Sequence, residues 1–442
     1  MTAIQTSPKN IIQKLEAPKP YLELLMLACV VLFILFKRSY RDIGDVALGL
    51  LVLGTLYHAF KAGHHMKTDA YPRLFLISLI VPTASWLNST LFIPELALPT
   101  PSPFSLYTFF IFWFLAYWIQ GNEQRIALVL LAYCCGALLL FITAPAELTE
   151  ELNRAASGVR VSFGLRNAQH TSLIAAFGLL ASIFLMFSNT HLSRRLEIIK
   201  KLVSLLFIAI FIAITIAAQS RQAWLPIAIC VGLAPALLKA TGTLQIRIAP
   251  MVILYALIGI IGALATNLDV VQNRASAESS TLSKITHGDI SEIPNDTSIG
   301  IRIHSWFEAS HWIAERPVFG NGEDIKEDVI VAAESLPGWV RSEFKHLHSS
   351  HIETLLSYGI VGATLIYFII IFPVARIIRE KKGAEGAKWV IFSIFTLIIW
   401  LTINTFESFF YMWDGIYVFT VFYGVIYSFS FSSEKHEHFS SS

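Results

Sequence analysis

The sequence predicts an all-α polytopic membrane protein with about 12 transmembrane helices and one large loop on its outer face carrying short helices. Three observations lead there. Of 442 residues, 55% are hydrophobic and 14% charged, with a mean hydropathy of +0.61, and a soluble domain of this length has no interior for about 240 apolar residues. Apolar runs recur along the chain between charged or Pro/Gly breaks, each near the ~20 residues that cross a bilayer. Lys and Arg concentrate in alternate connecting loops, as the positive-inside bias requires of a threaded chain.

The first 20 residues are polar and lack the apolar core and small-residue cleavage site of a signal peptide, so the first span is expected to be retained. Spans are then expected near 21–36, 43–60, 73–93, 104–119, 126–144, 170–188, 201–219, 222–238, 248–266, 353–375, 388–405 and 414–431. The organisation reads as a cytoplasmic segment 1–20, helices 1–9 within 21–266, an outer loop 267–350 carrying active-site residues, helices 10–12 within 351–431, and a cytoplasmic tail 432–442. With both ends inside, Lys and Arg favour the cytoplasmic loops by roughly two to one. The loop 37–42, with Lys37, Arg38 and Arg41, is the clear violation, and a misplaced first span would account for it.

Charge and cysteine usage exclude other classes. A net charge of +2 and the lack of a basic stretch interleaved with aromatics remove nucleic acid as a partner. Cys29, Cys134, Cys135 and Cys230 lie inside apolar runs without metal or disulfide spacing, and read as small core residues. An outer loop of some 80 residues is too long for a passive connector, which makes it a functional loop or a small cap.

Several residues on the outer side have chemistry to offer. Arg221, in Gln219-Ser220-Arg221-Gln222-Ala223-Trp224, joins two apolar runs at membrane depth. It reads either as a snorkelling anchor or as a fixed cation for a lipid phosphate. Arg302 opens an amphipathic stretch with Ile303, Trp306, Phe307 and Ile313, which suits a helix on the membrane surface ended by Pro317 and the Gly320-Asn321-Gly322 turn. On spacing alone it reads as a solvated charge as readily as a phosphate ligand. Arg160 and Arg166 each lie two residues after a glycine, Gly158 and Gly164, where a backbone can approach an anion or merely turn. His346, His348 and His351 crowd the mouth of the tenth span, and one of them is a general-base candidate. Metal binding by His348, His351 and Glu353 is the rival reading, although no second cluster completes such a site. Gly359 and Gly362 read as close helix packing.

Taken together, these motifs resemble the O-antigen ligase and polymerase superfamily of bacterial inner-membrane glycosyltransferases, and the O-antigen ligases in particular. The resemblance rests on His348-Ser349 followed by Gly359-Ile360-Val361-Gly362, on Arg302, Trp306 and Pro317-Val318-Phe319-Gly320-Asn321-Gly322, and on Ser220-Arg221-Gln222-Ala223-Trp224. The spacing to the glycine pair selects His348 over its two neighbours. Ser349 stands where the family often has Asn, and His351 is an addition.

The resemblance implies transfer of a glycan from an undecaprenyl-pyrophosphate-linked donor to a hydroxyl of a lipid A-core acceptor, among membrane lipids, at the periplasmic face of the inner membrane. His348 would then be the base, with Arg221 and Arg302 clamping the pyrophosphate and Arg166 and Arg160 as further ligands of the same anion. No cofactor is called for, and the lack of an Asp-x-Asp motif points to inverting transfer without metal. Rival readings are an O-antigen polymerase, an O-linking protein glycosyltransferase and, from another class, a lipid-linked glycan transporter, which would place charges mid-span rather than at one interface.

Overall fold

A computed structural model describes residues 19–62, 69–190, 192–242, 284, 292–381 and 384–431. The expected span 248–266 lies outside them, as do residues 1–18 and 432–442 and most of 267–291. Among the described residues the chain is all helix and turn, with no strand. Nine helices among the described residues are long and apolar enough to cross a membrane, and two apolar helical stretches there are shorter.

The helices fall close to their expected places: α1 Pro20–Phe36, α2 Arg41–Ala62, α3 Ala70–Phe92, α4 Ile111–Ile119 and α5 Glu123–Thr143. After the short α6 (Leu148–Ala156) come α7 Ala168–Phe187, α8 Arg194–Ala218 and α9 Arg221–Ala240. Residues 292–347 carry α10 Ser298–Glu315, α11 Lys326–Ala332 and α12 Gly338–Glu343; the bundle resumes with α13 Ser350–Glu380, α14 Ala384–Phe406 and α15 Trp413–Ser428. Side chains that accept from free backbone N–H groups set the starts: Asp69 for α3, Asn122 for α5, Asn167 for α7 and Thr297 for α10.

The expected span 104–119 is shorter than predicted. A 3-10 turn, Tyr107–Phe110, leads into α4, and the pair spans only about 20 Å. It lies at the bundle centre against α15, with Phe112, Leu115, Trp118 and Ile119 fully buried. Aromatic edges from Tyr71, Phe112, Phe419 and Tyr427 lock this centre. The outward faces are apolar: Leu202, Leu205 and Leu206 on α8 and Trp224 and Leu225 on α9 are exposed, as lipid contact demands. Cys29, Cys134 and Cys230 are buried as expected, whereas Cys135 is exposed on the helix surface.

Residues 292–347 have a small core of their own, in which Ile301, Ala309, Val329, Val340 and Leu347 pack with Ile93 and Leu356. This cap is tied to the bundle by the glycines, which corrects the reading of Gly359 as a helix-packing residue. Gly359 breaks α13 at φ 62°, ψ −163°, a conformation essentially restricted to glycine. The turn after α10 docks into the break: Ile360 N–H donates to Pro317 O at 2.8 Å and Asn321 N–H to Leu356 O at 2.8 Å. A Cβ on Gly359 would stand 2.4 Å from Val318 O, and one on Gly320 would stand 2.5 Å from Ser357. The two glycine motifs are therefore the halves of one joint.

Candidate functional site

His348 lies between the cap and α13, held in the left-handed region at φ 53°, a strained place for a side chain with a Cβ. The Leu347 peptide before it is gripped from both sides. Its N–H donates to Glu353 Oε1 at 2.7 Å, and its carbonyl accepts from the Trp306 indole at 2.7 Å. Ser349 then caps α13 by accepting from Ile352 N–H, which is why Ser can stand where Asn is common: both are strong N-caps. The imidazole Nδ1 lies 3.1 and 3.3 Å from the two oxygens of Glu407.

Glu407 was not anticipated from the sequence. It follows the last residue of α14, is fully buried, and also accepts from Ser408 N–H at 3.1 Å. Burial alone would raise its carboxyl, but the hydrogen bond and charge of His348, with His346 and the Ser408 N–H, outweigh that and hold it down to about 2. The signal that could have found it is the one that found Arg221, an ionisable residue at the end of an apolar run.

Gln169 is the second residue missed. Its amide lies between Glu407 and Arg302, donating to Glu407 Oε2 and accepting from Arg302 Nη2 at 2.8 Å when turned to satisfy both. Burial lowers the Arg302 guanidinium; Glu407 opposes this, while the neighbouring charges of Arg160 and Arg221 push further down. Arg302, Arg160 and Arg221 thus form one cationic cluster beside the His348–Glu407 pair. Arg302 stands in the second turn of α10 rather than at its start, so the cap brings it in as a side chain of a packed helix.

Local hydrogen bonds explain how distant residues meet. Arg160 Nε donates to Ala218 O at 3.2 Å and Val161 N–H to Ala217 O at 3.3 Å, which pins the 158–163 segment along the end of α8. Gln219, left-handed at φ 46°, turns the chain there into α9 and Arg221. Gln222 donates to Gln169 O at 2.9 Å, joining the start of α9 to α7. Buried Glu151 accepts from Ser162 and Phe163 N–H and shapes the rest of that loop. Arg166 sits on another side, where its positive charge acts on His346.

The other expected metal ligands are occupied elsewhere. His351 Nε2–H donates to Leu401 O at 2.9 Å and its Nδ1 accepts from Tyr367 OH at 2.6 Å, and Glu353 is spent on Leu347 N–H and Ser408 Oγ. The set His348, His351 and Glu353 is not assembled. His346, His348 and Glu407 do come within metal-ligating distance of one another, under the positive charges of Arg302, Arg166 and Lys326, which oppose a cation. Burial, reinforced by the charge of His348, lowers His346 to about 3.

A family model described as O-antigen ligase matches residues 205–367. The matched stretch contains Arg221, Arg302, His348 and the glycine joint, while Arg160, Gln169 and Glu407 lie outside it. This match supports assignment to the O-antigen ligase family and, more broadly, to the ligase and polymerase superfamily. No curated protein matches the chain.

Proposed function

We propose that the protein is an O-antigen ligase, transferring a glycan from undecaprenyl pyrophosphate to a hydroxyl of the lipid A core at the periplasmic face of the bacterial inner membrane. The observation that carries this reading is the junction of a His348–Glu407 pair with the cluster of Arg302, Arg160 and Arg221, bridged by Gln169. An imidazole that donates Nδ1–H to a carboxylate keeps its Nε2 lone pair for a substrate proton. The guanidinium groups suit a diphosphate, whose charge grows as it leaves. A cavity of about 490 Å³ supports a lipid donor. It is lined by Leu225 and Ile229, one and two helical turns along α9 from Arg221, and by Leu401 and Phe406 in the last turns of α14, which leads into Glu407.

In the reaction, His348 Nε2 takes the proton of the acceptor hydroxyl as its oxygen bonds to the anomeric carbon. The bond from that carbon to the diphosphate breaks on the opposite face, and the electron pair leaves with the phosphate oxygen. The diphosphate charge is stabilised by Arg302, Arg221 and Arg160. One displacement inverts the anomeric centre, and no step uses a metal.

The test is transfer by purified protein in nanodiscs given lipid-linked glycan with lipid A core, or with no second acceptor. Ligation to the core that survives exhaustive chelation and is abolished in a folded His348→Ala variant is expected. Elongation of the donor alone would make the protein a polymerase, and movement of the donor without a covalent product would make it a transporter. Activity lost to a chelator and restored by a divalent ion would overturn the metal-free mechanism.

A further inference from the structure

α1 ends at Phe36, so Lys37 and Arg38 lie in the turn that leads to α2, and Arg41 opens α2. Arg38 of that turn lines a second cavity of about 600 Å³, with Ser39, Arg166, His170, Trp413 and Asp414, while Lys37 and Arg41 line a smaller neighbour that shares Trp413. The lining comes from four places: the α1–α2 turn, the end of α5, the segment that leads into α7, and the start of α15. Arg38 Nε bonds Asp414 Oδ1 at 2.5 Å, and Asp414 Oδ2 holds His170 Nδ1 at 2.6 Å. His170 and Asp414 are 3% and 4% exposed.

Two polar atoms here are buried without a hydrogen-bond partner, His170 Nε2 and Ser39 Oγ. Such atoms are rare because each carries a desolvation penalty, and a ligand hydroxyl is what an imidazole lone pair and a serine can bind. Trp413, 46% exposed, presents an aromatic face with the Lys37 ammonium 5.4 Å and the Arg41 guanidinium 5.9 Å from its ring. Arg38 and Arg166 line the cavity with a single carboxylate, Asp414, so the surplus there is positive, while Lys37 and Arg41 share Asp45 in the neighbouring cavity. Arg166 both lines this cavity and acts on His346, beside His348, which places the cavity against the reaction centre.

We propose that this cavity is the acceptor subsite and that it selects a saccharide carrying a phosphate or carboxylate. Resting on the transferase reading, the assignment gives the breach of the positive-inside bias a cause: these cations are kept on the outer side to bind an anionic acceptor. Arg38 and Arg166 hold the anion, His170 Nε2 and Ser39 take ring hydroxyls, and Trp413 covers an apolar sugar face.

Saturation-transfer NMR on the full chain in phosphatidylcholine nanodiscs, with glucose 6-phosphate and glucose as probes, tests the site without turnover. Glucose 6-phosphate should bind more tightly than glucose, and Arg166→Gln, exposed and safe to fold, should weaken it about tenfold or more with glucose unchanged. Arg38→Gln should do the same. In transfer assays both variants should raise the acceptor KM by a similar factor and leave the donor KM alone. Equal binding of the two probes, or variants that shift only the donor KM, would overturn the proposal. So would loss of the sugar phosphate to added phosphatidylglycerol, which would make the cavity a lipid-headgroup site. If no acceptor is glycosylated yet the probes bind in this pattern, the subsite stands and the ligase reading fails.

Discussion

Replacing Glu407 with Gln separates the chemistry of the site from its stability. The side chain keeps its size, but the carboxylate facing His348 Nδ1 at 3.1 and 3.3 Å is lost. His348 then has no charged partner to hold its Nδ1 proton or to balance the imidazolium formed as the acceptor is deprotonated. A positioned base contributes about 10²–10⁴ in rate, or ~3–5 kcal/mol of barrier, so kcat should fall by a comparable factor with little change in donor KM. Glu407→Asp should fare almost as badly, because shortening by one methylene withdraws the carboxylate by about 1.5 Å. Arg302 also loses a charge partner, but it faces Glu407 across the Gln169 amide rather than in direct contact, which keeps that loss below the ~3–5 kcal/mol of a buried contact ion pair. A thermal melt in nanodiscs monitors this second effect while initial transfer rates report the first. In a double mutant with His348→Ala, the two losses should not add, because both remove one function. Wild-type kcat in Glu407→Gln, or full additivity in the double mutant, would refute the reasoning.

Arg302→Lys should lose transfer almost as severely as Arg302→Ala, since an ammonium cannot make the planar two-pronged contact that serves both a phosphate and the Gln169 amide oxygen; a Lys variant as active as wild type removes the clamp. Gly359→Ala should lower the melting temperature and the folded yield, because it adds at least ~1–3 kcal/mol of backbone strain and drives a Cβ to 2.4 Å from Val318 O; an unchanged melt would mean the joint does not hold the cap. Acidification should destabilise the protein through His346. Its folded value is lowered from 6.5 to about 3, so its contribution is complete above pH 6.5 and is lost as pH falls from there toward 3. Glu407, held at about 2, keeps its contribution until pH drops below 4.5. Melts from pH 7 to 5 should therefore slope downward in wild type and flatten in His346→Gln, and an equal slope in both would exclude this origin.

The path of the chain was legible in the sequence wherever one local pattern decides it. Apolar length and breaks located α1, α5, α7, α9 and α14 to within a few residues, since a helix in lipid must satisfy its backbone internally whatever surrounds it. The segment 104–119 was overestimated because apolarity marks burial in protein as well as in lipid, and α4 is buried in protein. Gly359 was misread for a related reason: a glycine in an apolar helix serves close packing or a backbone break, and only the docked 317–322 turn decides between them.

The sequence by itself determined a polytopic all-helical chain and singled out His348, Arg221 and Arg302, because hydropathy, charge bias and motif spacing are properties of neighbours along the chain. Only the tertiary structure decided what those residues meet. Glu407 lies two helices on from His348, Gln169 reaches Arg302 from far upstream, and Arg38 finds Asp414 across nearly the whole chain. Such pairings are set by which helix ends pack side by side, and packing is a sum over the whole bundle that no single stretch of sequence encodes.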